Sequence, residues 1–471
     1  MDIVDVLRRK LGKEKVIDDP AIVSIYLREP SGLRGSNVKA VVFPESGEDV
    51  REIVKAAYEY EVYIYPQGSS TSLSGSAYPE KGGIVVSFER MNKILDVNII
   101  DGTVTVQPGV RIDELNEFLK EYGYMFPVDP ASSAVATVGG AINTGAGGMK
   151  GVKYGTMRDW VLGLELVLAD SNASKIRIGC RTVKCRQGLD LTRLIVGSEG
   201  TLGLVTEAIL RITPIPEQVV YILAFYERLE DLAQTVIDVK KEGITPFIAE
   251  FMEEETVQRA KKLAGVDIEA RGHMLLLGVD VYREAAERML NHLIDLAKRN
   301  KAREIHTATS TEEAYDRGLF AIRKNLFTAQ VHYTRERLGE KENVMVLIED
   351  IVVPPSRLVE AVKGLKEIAG RYGFTMMLGG HIGDGNLHPA VGYDPEDPVE
   401  TRRVEEWYIE VMRLALNLGG SISAEHGIGT LKKKGLVIEA ESLGSEKMIE
   451  LMRGIKRVFD PKGILNPGKI I

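Results

Sequence analysis

Cysteine, tryptophan and histidine are scarce in this chain of 471 residues, which holds two, two and seven of them. Two cysteines, Cys180 and Cys185, cannot build a disulfide framework, and a lone C-x4-C pair is a poor zinc site, so both are expected to be free thiols. Long apolar runs are missing as well: none approaches the ~18–20 residues of a membrane-spanning helix. The N-terminal stretch MDIVDVLRRKLGKEK interrupts its apolar stripe (Ile3, Val4, Leu7, Leu11) with charges. That excludes the unbroken apolar core of a signal peptide and predicts a surface helix. Neither the G-K-[ST] of a P-loop nor a G-x-G-x-x-G opening a helix is present. A formal net charge of −8 argues against a nucleic-acid partner. A cytoplasmic protein is the expectation, with peripheral attachment at the inner face of the membrane left open.

Glycine, in contrast, is plentiful, with 47 residues grouped in a few segments. At this length two or three domains are expected. Residues 39–44 read as a buried strand, Ser46 with Asp49 as the start of a helix running to about Tyr60, and residues 61–66 as the next strand. The two strands are therefore expected to be parallel. The loop QGSSTSLSG (67–75) leaves the carboxyl end of the second strand, where open α/β sheets bind ligands. Further strands are predicted at 84–88, 94–99, 162–170 and 201–214, with a helix at 112–123. The least helix-like region is 128–155, because seven of residues 139–155 are glycine. From about residue 216 long helical patterns (228–242, 253–264, 282–300, 356–372, 399–418) alternate with strands such as HMLLLGVDV. Glycine-rich loops suit a pyrophosphate, since glycine admits a close ligand and Ser and Thr add donors. Tight surface turns are the other reading.

The histidines are concentrated. GGHIGDGNLHP (379–389) holds His381 and His388, and His426 follows in SAEHGIG. Four glycines among residues 379–385 disfavour a helix. A two-residue turn at Asp384-Gly385 would pair His381 with His388 on one face of a hairpin, close enough to grip one ion. Glu425 supplies a third ligand, completing the His2Glu pattern usual for zinc and acceptable to Mn or Fe. Asp384 and Asn386 read as turn or supporting residues, and His426 as an available base. Alternatively His381 and His388 are hydrogen-bonded structural residues beside a turn. A zinc hydrolase whose glycine loops are only turns fits these residues too.

The spelling of three long segments carries more. PQGSSTSLSG, DPASSAVATVGGAINTGAGGMKGVKYGTMRDWVLGLELVLAD and LTRLIVGSEGTLGLVTEAILRI resemble the FAD-binding domain of the vanillyl-alcohol oxidase / p-cresol methylhydroxylase superfamily. With GHIGDGNLH and EHG the resemblance narrows to the D-lactate dehydrogenase / glycolate oxidase FAD-subunit branch and runs nearly end to end. It implies an α+β fold: a two-part FAD-binding domain over residues 1–215, a substrate or cap domain over 216–418, and a C-terminal segment, 419–471, returning to the FAD domain. The FAD pyrophosphate would lie against Pro66, Gln67, Gly68, Ser69, Ser70 and Thr71 and against Gly139, Gly140, Thr144 and Gly148. Asp129, Ser132, Thr137, Tyr154, Glu199, Gly200 and Val205 would line the cofactor, and Asn466 would approach the isoalloxazine ring. No His or Cys stands in the first glycine loop, so FAD is expected to be non-covalent. Two departures stand out: Gly145 where the family usually has asparagine, and VLADSNAS in place of an ADG turn.

The resemblance further implies oxidation of a small D-2-hydroxy acid, D-lactate or glycolate foremost. His381, His388 and Glu425 would bind the divalent metal, zinc first, His426 would be the base, and Arg323 in LFAIRKN the carboxylate anchor. Glu250 and Lys324 are weaker candidates. The electron acceptor is left open among a quinone, a cytochrome, an electron-transfer protein and a partner subunit, and so is a homodimer. A non-redox transferase of the alkyl-dihydroxyacetone-phosphate synthase kind is the other flavin-dependent reading.

Overall fold

The computed structural model describes residues 2–341 and 343–471. Its contacts divide the chain into two units: residues 1–148, 155–215 and 425–471 form the first, and residues 149–154 and 216–424 the second.

In the first unit the β-α-β reading of residues 38–67 holds with one strand interposed. Strands Val38–Val42 and Ile64–Gln67 both run parallel to Gly83–Ser87, which lies between them, and Val16–Ile17 adds an antiparallel edge. Helix Gly47–Tyr60 begins where the Ser46 hydroxyl accepts from the Asp49 N–H at 3.2 Å. Asp49 reaches back not to Ser46 but to the Glu45 N–H, at 2.9 Å. The apolar stripe of the N-terminal helix Ile3–Leu11 is buried against this helix and sheet, through Ile3, Leu7, Ile53 and Val54. A second, all-antiparallel sheet follows, in the order Ile94–Asn98, Thr103–Val106, Leu204–Arg211, Val161–Val167, Lys175–Gly179.

Two expectations fail in this unit. The glycine-rich region expected to be least helical contains helix Val138–Thr144, capped by the Thr137 hydroxyl, which accepts from the Gly140 N–H at 3.2 Å. Glycine is there for packing rather than for a turn: a Cβ on Gly139 would stand 2.5 Å from Pro108. The helix ends at Gly145 in the left-handed region, φ 68°. Glycine adopts this conformation without strain and asparagine more readily than most residues, which fits the replacement of one by the other here. The second failure is Cys180 and Cys185, which form a disulfide with Cα atoms 5.9 Å apart, on the exposed turn after strand Lys175–Gly179. Local proximity of the pair outweighs the scarcity argument.

The second unit is built on an eight-stranded antiparallel sheet. Its order is Glu304–Ala308, Gln218–Tyr226, His273–Val281, Ile248–Met252, Met376–His381, Asn386–Tyr393 and Met345–Ile348, with Ile351–Val352 also pairing to Asn386–Tyr393. Strand Gln218–Tyr226 is apolar at almost every position because Tyr221, Leu223 and Phe225 enter one core while Val220, Ile222 and Ala224 are buried as well. The five helices expected after residue 216 appear as Leu229–Lys241, Glu254–Ala264, Ala286–Arg299, Leu358–Arg371 and Pro398–Asn417. Among the described residues no helix is long and apolar enough to cross a membrane.

Candidate cofactor cleft and metal centre

In the first unit the loop leaving strand Ile64–Gln67 forms one wall of a cleft of about 410 Å³. Pro66, Gly68, Ser69, Ser70 and Thr71 line it, opposed by Ser132, Thr137, Gly140 and Thr144, with Glu199, Glu425, His426 and Asn466 completing the enclosure. The Ser132 hydroxyl meets Thr71 Oγ1 at 3.3 Å, and the Ser69 hydroxyl donates to the Val135 carbonyl, so the two loops are tied across the opening. Gly139, Val205 and Gln67 line a narrow recess next to it. The Gln67 side chain does not face the cleft: its amide donates to the carbonyls of Tyr26 and Ala77, both at 2.9 Å. Gly200 supports the wall from behind, where a Cβ would stand 2.5 Å from Pro66. Asp129, Gly148 and Tyr154 are not brought to the cleft. Gly148 packs on the Asp129 carbonyl, and Tyr154 belongs to the second unit, its hydroxyl 3.0 Å from Asp280. The lining suits a dinucleotide: hydroxyls and glycine backbone for phosphates, and Pro66, Leu73, Ala136 and Ala146 for a flat ring.

Glu199 is the keystone of this unit. It is non-glycine at φ 52°, and its own N–H donates to the Asn143 carbonyl at 2.7 Å. Its carboxylate accepts from the N–H groups of Ile428 (2.7 Å) and Gly429 (3.0 and 2.9 Å), and its carbonyl from the Asn466 amide at 2.6 Å. The loop carrying His426 is thereby fixed to the cleft, and the Ser74 hydroxyl adds a bond to the His426 carbonyl at 2.8 Å. Burial pushes the Glu199 carboxyl up to about 7, against the pull of the Gly429 and Ile428 N–H groups. Lys469, equally enclosed, is pushed down to about 8 by burial, while Glu80, Glu29 and Glu199 oppose the shift. Its ammonium rests on Thr430 Oγ1 at 3.0 Å and over the Tyr78 ring.

In the second unit the histidine hairpin exists in a different register. The loop is four residues, 382–385, not two: His381 pairs with Asn386, Gly380 with Leu387 and Gly379 with His388. The N–H groups of Asp384 and Gly385 donate to the His381 carbonyl, and Gly385 takes φ 90°. His381 and His388 are therefore diagonal rather than opposed, but a shift of two residues keeps them on one face. Both are buried, their ring centroids 5.2 Å apart and nearly perpendicular. His381 Nδ1 lies 2.5 Å from Glu250 Oε1, and the other oxygen, Oε2, accepts from Arg323 Nε at 2.7 Å. Burial would raise the Glu250 carboxyl; His381 and Arg323 outweigh it and hold it below its ordinary value. His388 Nδ1 lies 3.9 Å from Asp350 Oδ1, which accepts from the Asn386 amide at 2.8 Å. Asp384 accepts from the Asn386 N–H at 3.2 Å as a turn residue does. Two buried imidazoles, each with a carboxylate nearby, are a donor set that fits a borderline divalent cation.

The model of the FAD-linked oxidase C-terminal domain matches residues 215–470, and that of an FAD-binding domain matches residues 38–176. This chain belongs to the FAD-linked oxidase family. Glycolate oxidase subunit GlcD of Bacillus subtilis is 36% identical to it over 470 residues, covering 100% of this chain and 96% of that protein. D-lactate dehydrogenase of Archaeoglobus fulgidus is 36% identical over 440 residues, covering 92% and 91%. Among solved structures, p-cresol methylhydroxylase with substrate bound has the same fold, with a TM-score of 0.79 at 18% identity over 99% of this chain and 96% of that one. The cleft of this FAD-linked oxidase is thus part of a family whose cofactor is FAD.

Two residues of the FAD-linked oxidase carry more than their sequence context suggests. The resemblance places a wall of the active site near EDIVVPPSRL (349–358) without singling out Asp350, and ranks Glu250 only as a weak candidate. Glu250 stands inside the apolar run PFIAEFM and Asp350, with Glu349, closes the apolar run VMVLI, and each is fully enclosed. A carboxylate in such a run requires a buried partner, and that is the signal which would have found them.

Proposed function

We propose that this FAD-linked oxidase oxidises a small D-2-hydroxy acid, D-lactate or glycolate foremost, to the 2-oxo acid. FAD is held non-covalently in the first unit by the residues named above, and a divalent cation, zinc first, by His381, His388 and Glu425. One observation carries the substrate class: Glu250 bridges His381 and Arg323 through its two oxygens. A cation ligand and an anion anchor thus share one carboxylate, an arrangement that suits a molecule carrying both a hydroxyl and a carboxylate. The names of the relatives point to the same acids.

Arg323 binds the substrate carboxylate through its two Nη groups, with Nε committed to Glu250. This pins the neighbouring carbon and restricts its orientation. His426 takes the hydroxyl proton as general base. Bound FAD supplies the two-electron acceptor, and a bound cation supplies polarisation of the hydroxyl oxygen. Reoxidation falls to a quinone, a cytochrome, an electron-transfer protein or a partner subunit.

The test is an anaerobic flavin-bleaching screen against D- and L-2-hydroxy acids, with and without chelator. D-lactate or glycolate should bleach the flavin, chelator should slow it, and His381→Ala or His388→Ala should stay yellow yet fail to bleach. A full bleaching rate in the metal-free double variant would sink the metal assignment. A yellow protein that no hydroxy acid bleaches would sink the redox reading in favour of a transferase.

A further inference from the structure

Asp350 has no role in the reading above, although it is among the most deeply enclosed charged residues of the chain. It follows strand Met345–Ile348, where the Glu349 N–H bonds to the Pro389 carbonyl at 2.9 Å, and precedes strand Ile351–Val352, which pairs with Asn386 and Leu387. The residue is thus wedged against the strand that carries His388. Its two oxygens look to separate stretches of chain. Oδ1 accepts from the Asn386 amide at 2.8 Å and lies 3.9 Å from His388 Nδ1. Oδ2 accepts from the Ser423 hydroxyl at 3.0 Å and the Ala424 N–H at 2.9 Å. The same amide of Asn386 also donates to the Ile351 carbonyl at 2.9 Å, so it cannot turn away without giving up two acceptors.

One oxygen thus holds the strand of His388 and the other the segment that ends at Ala424. Asn386 lies two residues before His388 on the same strand face, and Ala424 is joined by one peptide bond to Glu425. An enclosed carboxylate has a high desolvation cost and keeps its place only where donors converge on it. Glu250 plays the matching part for His381, by direct contact.

We propose that Asp350 is a positioning residue for the metal centre. It fixes the His388 strand through Asn386 and the backbone entering Glu425 through Ala424, without itself ligating the ion. The inference rests on the proposal that His381, His388 and Glu425 hold a divalent cation.

The experiment is a chelator-competition titration of Zn²⁺ and Co²⁺ on the flavin-loaded protein and on Asp350→Asn and Ser423→Ala. Asparagine places an amide where two donors converge. Outer groups of this kind are worth about 10–100-fold in metal affinity, so Asp350→Asn should bind both ions about that much more weakly. Its flavin content and, at saturating cobalt, its visible Co²⁺ bands should match the parent. Ser423→Ala, which removes one donor only, should show a smaller loss in the same direction and serves as the measurement if Asp350→Asn does not fold. Parent-like affinity in a folded variant overturns the inference, and so does a changed Co²⁺ band pattern, which would make Asp350 a ligand. A parent protein that binds neither ion defeats the underlying metal reading instead, so the two failures are distinguishable.

Discussion

Replacing Glu199 by glutamine should remove a pH dependence that the first unit carries. The carboxyl is pushed up to about 7 by burial, from an ordinary value of 4.5 in the unfolded chain. The folded state therefore holds this proton more tightly than the unfolded state does. The associated stability is fully present below pH 4.5, is lost as the pH rises, and levels off above pH 7, the reverse of a salt-bridged carboxylate. A tenfold difference in proton affinity between the two states corresponds to about 1.4 kcal/mol, so the loss between pH 5 and pH 8 is about 2.5 kcal/mol. Glutamine cannot ionise. It keeps an acceptor for the Ile428 N–H but turns an amide toward Gly429, at a cost of about 1–3 kcal/mol that does not vary with pH. Glu29, raised chiefly by burial, and Lys469 titrate in both proteins, and because both feel the Glu199 charge the difference reports the coupled group with Glu199 at its centre. The quantity to follow is the difference in Tm between the two proteins, by scanning fluorimetry from pH 5 to pH 8 without added flavin. At about 2 °C per kcal/mol for a folding unit of this size, the variant should gain about 5 °C on the parent across that range. A gap constant to within a degree would refute the argument that burial raises this carboxyl into the neutral range.

Gly385→Ala should dismantle the histidine hairpin, because Gly385 has φ +90° and a Cβ there would lie 1.9 Å from the Val353 carbonyl oxygen. The cost should exceed about 2 kcal/mol, read as a lower Tm, and metal content by atomic emission should fall below that of the parent while flavin absorbance persists. The disulfide is tested by thiol titration in denaturant: no reactive cysteine before reduction and both after it, whereas two thiols without reductant would return Cys180 and Cys185 to the state expected from sequence. Its closure of a short loop should be worth about 2 kcal/mol.

The sequence reveals the elements and the chemistry better than the geometry. The five helices after residue 216 follow from apolar periodicity, because each buries one face on a sheet. His381 and His388 do share one face, but through a different pairing from the one their spacing suggests. A period-2 strand gives the same facing for any even slip, so facing is legible where register is not. Helix Val138–Thr144 is hidden because Gly139 serves close packing on Pro108, and local propensity carries no trace of a distant proline. Glu199 and Asp350 owe their roles to partners 229 and 36 or more positions away, and no spacing rule reaches that far. A count of two cysteines argues against a disulfide framework, yet five residues of separation on a turn is the arrangement in which two thiols meet most readily.

The way the first unit is threaded has a consequence for the order of its making. Strand Ile64–Gln67 is bonded on one side by Ile464 and Asn466: the Ile64 N–H donates to the Ile464 carbonyl and its carbonyl accepts the Asn466 N–H, both at 2.8 Å. The Asn466 side chain then bonds Ser76 and Glu199, one from each wall of the cleft. Residues 216–424, by contrast, are continuous apart from a six-residue contribution from 149–154. As the chain leaves the ribosome, the second unit has almost all of its sequence available while the first still lacks a wall. The cleft can close only when residue 466 has joined it, so its enclosure depends on chain that follows the whole of residues 216–424.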